Sequence, residues 1–144
     1  MTDVSDFDLD RFTPYRLAVA AQKTSEGLAR LYRARFGISI PEWRVLVHLA
    51  HAGDVSVRDI EAQVMMEKSK VSRAASRLAA AGYINKQASK ADRRLLRISL
   101  TTKGNTLMAE LLPLALAYQR SLEEHLGDAL GGFEAGITKL LDGR

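Results

Sequence analysis

The stretch from Glu67 to Gly82 constrains this chain more than any other. Read at 100° per residue, Val71, Ala74, Ala75 and Leu78 share one face, the spacing of a helix that packs closely on a neighbour. Lys70, Arg73 and Arg77 share another, flanked by Ser69, Ser72 and Ser76, and Lys68 opens the run. The alternative is a solvated amphipathic helix. Solvated helices, however, mix Glu with Lys for paired support, and no acid occurs between Lys68 and Gly82. A helix with a small apolar back and a basic, hydroxyl-dotted front suits the major groove of DNA, where Arg and Lys reach phosphates and guanine edges and Ser fits near either.

The charge beyond this helix follows the same trend. From Lys68 to Arg97 there are nine basic residues and one acid, Asp92, a net +8 in a chain of net +4. The remainder therefore sums to −4. Such a concentration is the electrostatic footprint of a polyanion partner. With 144 residues and 47% apolar content, the chain has the length of one domain with a real core. It has no cysteine, which removes disulfides, thiolate zinc sites and thiol redox sensing. It has no apolar run of spanning length and opens on an acidic, polar stretch unlike a signal peptide, so a cytoplasmic location is expected.

In chain order, residues 1 to 8 read as a loose acidic arm. A long helix is expected from about Leu9 to Phe36, with Leu17, Ala20 or Ala21, Thr24, Leu28, Leu31 and Tyr32 as its pattern, Pro14 near its start and Gly37 at its end. Ser39-Ile40-Pro41-Glu42 reads as a capping box opening a second helix through Trp43, Leu46, Val47 and Ala50 to Gly53. Ser56 opens a short third helix with Ile60 and Val64 inward, and Met65 and Met66 mark a turn before the basic helix. Two short helices, a tight turn and a basic helix form the helix-turn-helix order. Tyr83–Gln87 and Leu95–Leu100 are strand-compatible, the second with Leu96, Ile98 and Leu100 facing one way; the turn between them carries Lys90, Arg93 and Arg94. A hairpin so placed is a wing, and an Arg-bearing tip suits the electronegative minor groove. A fifth helix follows from about Thr102 to Leu126, with the stripe Leu107, Leu111, Leu114, Tyr118 and Leu122 and a kink expected at Pro113. The tail carries Phe133, Ile137, Leu140 and Leu141 at helical spacing among Gly131, Gly132 and Gly136, which weaken a helix by about 1 kcal/mol each. It needs packing to hold it, and a second chain is the expected source.

Three strings carry a resemblance to a known family: Val71-Ser72-Arg73 with Leu78 and Gly82 behind it, Asp92-Arg93-Arg94, and Ser99-Leu100-Thr101-Thr102-Lys103-Gly104. In these strings and in its order of elements the chain resembles the MarR (multiple antibiotic resistance regulator) family of winged helix-turn-helix transcription factors. The resemblance implies a mainly α fold with a small β-hairpin wing, over residues 1–144 as a single domain. Residues of about 39–101 would form the winged helix-turn-helix DNA-binding lobe, and about 9–36 and 102–142 the N- and C-terminal dimerisation helices. It implies a homodimer on a pseudo-palindromic duplex, with recognition helices in successive major grooves and wings in the flanking minor grooves, and often a small effector that loosens DNA binding. Ser72 and Arg73 then fall at the groove-facing start of the recognition helix, with Arg77 one turn on. Asp92 matches the wing acid that anchors the tip arginine, Arg94 matches that arginine, and Arg93 shares the task. Lys86-Gln87 departs from the pair of arginines the family often carries there, and the glycine-rich tail is also unusual.

An effector site is likewise an implication of the resemblance, between the DNA-binding lobe and the helical base. Arg16, Trp43, Arg44 and His48 are its candidates: an arginine to pair with a carboxylate, an indole to stack on an aromatic ring. The alternative is Trp43 in the core and both arginines on the surface. His48 and His51, three apart, could hold a metal, but packing or a pocket lining is the expected role, and no cofactor is expected. The chain has no phosphate loop, no G-x-S-x-G and no H-E-x-x-H, so no enzyme is expected. The expectation is a sequence-specific regulator, a homodimeric repressor released by a small, aromatic-acid effector. The alternatives are a DNA-binding regulator without an effector and a winged-helix protein–protein module.

Overall fold

The computed structural model describes residues 3–63, 66–88 and 96–142. Two short 3-10 turns, Val4–Asp6 and Leu9–Arg11, precede helix α1, Thr13–Phe36. Asp3 and Asp8 cap those turns through their side chains, so the opening is locally ordered and the long helix begins at Thr13 rather than Leu9. Pro14 sits in its first turn and Gly37, at φ 67°, closes it. The buried residues of α1 are Ala29 and Tyr32, while Leu17 and Leu31 are exposed. The expected pattern is therefore met at Tyr32, while Ala29, which it did not include, is also buried.

Helix α2, Ile40–Ala52, starts on a complete capping box: Ser39 and Glu42 exchange side-chain and backbone hydrogen bonds. It buries Val45, Leu46 and Leu49. A two-residue strand β1, Val55–Ser56, leads into α3, Val57–Gln63, whose Ile60 is buried. The Ser56 hydroxyl accepts the Asp59 backbone N–H at 3.0 Å, which caps α3. Val64 and Met65, expected on the inward face and in the turn, lie outside the described residues. Helix α4, Lys68–Ala80, follows, with Val71, Ala74, Ala75 and Leu78 fully buried.

Strands β2, Ile84–Ala88, and β3, Leu96–Leu100, pair antiparallel, with Ile84 opposite Leu100 and Ala88 opposite Leu96. β1 adds to the other edge of β3, with Val55 opposite Ile98, so the wing hairpin belongs to a three-stranded sheet of order β1-β3-β2. Ile98 is buried at the centre of the middle strand, whereas Leu96 near the hairpin end is exposed.

Helix α5, Thr102–Leu126, is continuous through Pro113. Its start is welded to the turn after α4. The Thr101 backbone N–H donates to the Tyr83 carbonyl at 3.0 Å, and its hydroxyl donates to the Gly82 carbonyl at 2.6 Å while accepting the Gly104 N–H at 3.0 Å. A side chain at Gly104 would run into the Tyr83 carbonyl oxygen, so only glycine allows this approach. Gly82 itself has a φ of 85°. The Lys103 ammonium adds a 2.7 Å bond to the Ala81 carbonyl and lies 4.7 Å from the Tyr83 ring centroid. The Leu-Thr-x-x-Gly string is thus a joint between the end of α4 and the start of α5.

Contacts divide the chain into two compact units, residues 1–109 and 110–144. The second contains the rest of α5, a 3-10 turn at Gly127–Ala129 and helix α6, Leu130–Leu141. α6 buries none of its residues. Among the described residues, no helix is long and apolar enough to cross a membrane.

Candidate nucleic-acid interface

The outer face of α4 carries Lys68, Ser69, Lys70, Ser72, Arg73, Ser76 and Arg77, all exposed. The inner face explains why they face outward. Three of its four apolar side chains are alanine or valine, so α4 packs closely on its neighbours and the long cations point away. Glu67 precedes the helix with extended backbone and no capping side-chain bond, and no acid occupies the first turn. The first-turn N–H groups and the neighbouring lysines therefore combine to favour an anion at that end.

Two residues of this face are tied to other elements. Arg77 Nε lies 3.5 Å from Glu42 Oε1, the carboxylate of the α2 capping box. Lys86 on β2 donates from Nζ to the Ser76 hydroxyl at 2.9 Å. The polar face has no acid of its own, but α2 supplies one. Sequence spacing could not find that contact, because it joins residues 35 positions apart through tertiary packing. Lys86 takes a place at the edge of this face that its sequence position alone did not assign to it.

Arg97 contributes to the local charge count but is matched elsewhere. Its Nε donates to Asp54 Oδ1 and a terminal nitrogen donates to the Asp54 carbonyl, both at 2.9 Å, which pins β3 to the turn before β1. Arg77 and Arg97 thus each meet a carboxylate from outside the +8 segment. Lys90, Asp92, Arg93 and Arg94, the expected wing tip, lie outside the described residues.

The effector candidates do not converge. Arg44 borders an open cleft of about 490 Å³ between α1, the start of α2 and the start of α4, together with Gln22, Ser25, Ile40, Glu67 and Lys70. Arg16 lines a separate depression of about 370 Å³ with Tyr15 and Lys23. Trp43 stacks on Tyr32, ring centroids 5.2 Å apart at 18°, and serves the α1–α2 contact. Burial pushes the Tyr32 phenol up to about 12, against the opposing pull of Arg33 and Arg44. His48 is half-buried on α2 and His51 is exposed; among the described residues, no group of three or more potential metal ligands gathers anywhere. Lys70 on the cleft is the residue that sequence reasoning assigned to DNA alone.

Residues 36–95 match the sequence model of the MarR family. Among solved structures, a MarR family transcriptional regulator from Silicibacter pomeroyi is 27% identical, with a TM-score of 0.82 over 94% of this chain and 97% of that one. A MarR/EmrR family transcriptional regulator from Acinetobacter is also 27% identical, with a TM-score of 0.81 over 94% of this chain and 96% of that one. BpsR of Bordetella bronchiseptica, whose DNA binding is regulated by 6-hydroxynicotinic acid, shares the fold at 20% identity, with a TM-score of 0.81 over 96% of this chain and 98% of that one. No curated protein sequence matches. The buried back and cationic front of α4, the sheet that follows it and the matched segment 36–95 agree: residues 36–95 are similar to the MarR family, and the fold is that of MarR family transcriptional regulators.

Proposed function

We propose that this protein is a sequence-specific DNA-binding transcriptional regulator, a homodimeric repressor released by a small anionic aromatic effector. The observation that carries the reading is α4. Its seven outward polar residues, four of them cationic, oppose a fully buried apolar face, the division a recognition helix needs. Lys68, Lys70 and Ser69 suit phosphates near the helix start; Ser72, Arg73, Ser76 and Arg77 suit base edges along the groove. Lys90, Asp92, Arg93 and Arg94 are assigned to the wing tip in the minor groove.

A second copy is supported by symmetry and by unspent apolar surface. Two half-sites one helical turn apart require a two-fold symmetric protein, and a single module buries too little for tight specific binding. The two ends of the chain carry exposed apolar side chains: Phe7, Leu9 and Phe12 before α1, and Phe133, Leu140 and Leu141 on α6. The effector is supported by the cleft beside Arg44 and Lys70, two cations over the apolar Ala18, Ala21, Ile40 and Pro41. A carboxylate held there would engage Lys70 at the start of α4, which is a direct way to weaken its contact with DNA.

The test is binding to a random-sequence duplex pool across a salt series. The parent enriches a two-fold symmetric motif, and its affinity falls steeply with salt, with a logarithmic slope of about −0.9 per phosphate contacted. Arg73→Ala costs about 1–3 kcal/mol and relaxes preference at the base it reads. Salt-insensitive binding, or an Arg73→Ala variant with the parent's preference, would refute the reading. A thermal-shift screen of aromatic acids tests the effector, since a ligand that binds the folded state raises Tm; a hit that leaves DNA binding unchanged removes the release mechanism.

A further inference from the structure

Arg77 differs from the other cations of α4 in being held. Among the described residues, it is the one α4 cation in an ion pair, and the partner, Glu42, is itself fixed from behind. A single oxygen, Glu42 Oε1, accepts the Ser39 hydroxyl at 2.6 Å and the Ser39 backbone N–H at 3.4 Å, and lies 3.5 Å from Arg77 Nε. The Glu42 side chain is 14% exposed and that of Arg77 53%. An ion pair this open adds little to stability. What it does is restrict where the arginine points.

We propose that Glu42 is a positioning residue for base recognition: anchored by Ser39, it holds Arg77 at Nε and so presents the guanidinium tip to the major groove. The proposal rests on the DNA-binding reading above. Nε is the nitrogen nearest the helix, and the pair leaves the two Nη groups for an outside acceptor. Those groups form the fork that matches guanine O6 and N7. A free arginine loses rotamer freedom when it binds, and one restrained beforehand loses less. Glu42 also places a negative charge beside the phosphate path. That charge disfavours every duplex alike, while the oriented fork favours only duplexes with the right base, so both effects widen the gap between specific and non-specific binding. The contact at Ser76 is of another kind, because Lys86 spends its own ammonium there.

The experiment is selection from a random-sequence duplex pool with the full-length parent, Glu42→Gln, Arg77→Ala and the double variant, each set beside its affinity for one mixed-sequence duplex. Gln still serves a capping box but lacks the charge that holds Arg77. Arg77→Ala identifies the base positions this arginine reads. At those positions Glu42→Gln lowers preference about threefold to tenfold, against the larger loss expected for a whole bidentate contact, and affinity for the mixed duplex stays level or rises. The double variant matches Arg77→Ala, since the effect passes through that side chain. Parental preference in Glu42→Gln, loss at other positions, or an equal further loss in the Arg77→Ala background overturns the proposal. A parent that enriches no motif overturns the DNA-binding reading and this inference with it, so the parent arm separates the two failures. Should Glu42→Gln melt well below the parent, Ser39→Ala, which frees the carboxylate without removing it, decides the matter. Loss confined to the Arg77 positions supports positioning; loss spread over the motif overturns it.

Discussion

α4 and α6 are nearly the same length, 13 and 12 residues, and both are amphipathic, yet they satisfy their apolar faces in opposite ways. α4 buries Val71, Ala74, Ala75 and Leu78 completely, against its own chain. α6 buries nothing: Phe133 is 46% exposed, Leu140 57% and Leu141 79%, and it carries three glycines that cost helix stability. The first helix is fixed by the fold, and its charged face is consequently held in register with the elements around it. The second has an apolar stripe with nothing of its own unit over it. A basic surface meant for a rigid duplex belongs on the first kind of helix, and an association surface on the second.

The largest effect expected from that contrast is Leu78→Ala, which should cost about 2–5 kcal/mol of folding stability in urea titration, because the cavity lies in packed surroundings. Leu141→Ala should stay within about 0.5 kcal/mol, as for an exposed site, when measured at a concentration where the chain is monomeric. Equal costs would break the comparison. Next comes Phe133→Glu combined with Leu140→Glu. If these side chains meet a second copy, each contributes about 1.5–3 kcal/mol, so sedimentation should find self-association weakened by on the order of a hundredfold or more. An unchanged dimer would move the association surface elsewhere. Gly104→Ala sharpens the other half of the contrast. The added methyl collides with the Tyr83 carbonyl and pries apart the joint behind α4, at about 1–3 kcal/mol in thermal unfolding.

The smallest effect is electrostatic. Tyr32, nearly inaccessible in the α1–α2 contact, has its phenol raised from 10.0 to about 12 by burial. The folded state therefore keeps a proton that the unfolded state gives up. The stabilisation is whole below about pH 10 and is lost as pH rises through about 12. Tyr32→Phe should flatten that alkaline limb, and ultraviolet titration of the parent should find one phenol ionising late. A limb unchanged by the substitution would assign it to other groups.

Part of the local structure around the candidate site could be read without coordinates, and the reasons are local. The apolar and cationic faces of α4 need only the 3.6-residue period, and Ser39-x-x-Glu42 needs only the spacing of a capping box. What escaped was whatever joins distant positions. β1 is two residues long, too short to have a pattern, and exists because Val55 and Ser56 find the edge of β3. On α1 the expected stripe includes Tyr32, which is buried, but not Ala29, which faces the core by position although its small side chain does not mark a stripe. Trp43 reads in the sequence either as an aromatic platform for an effector or as core; its stacking on Tyr32, eleven residues earlier on another helix, is a contact that no local pattern contains.

The amino-acid order alone determined where α2 and α5 begin and where α1 and α2 stop, which face of α4 is apolar, and that the charge of the chain gathers between Lys68 and Arg97. These follow from periodicity, capping and composition, which act over a few residues. Only the tertiary structure decided that Arg77 meets Glu42, that Arg97 is matched by Asp54, that Arg16 and Arg44 lie on separate hollows, and that Gly104 must be glycine. Each of these depends on two segments brought within a few ångströms by packing, and distance in space is the one quantity that a linear pattern of residues does not contain.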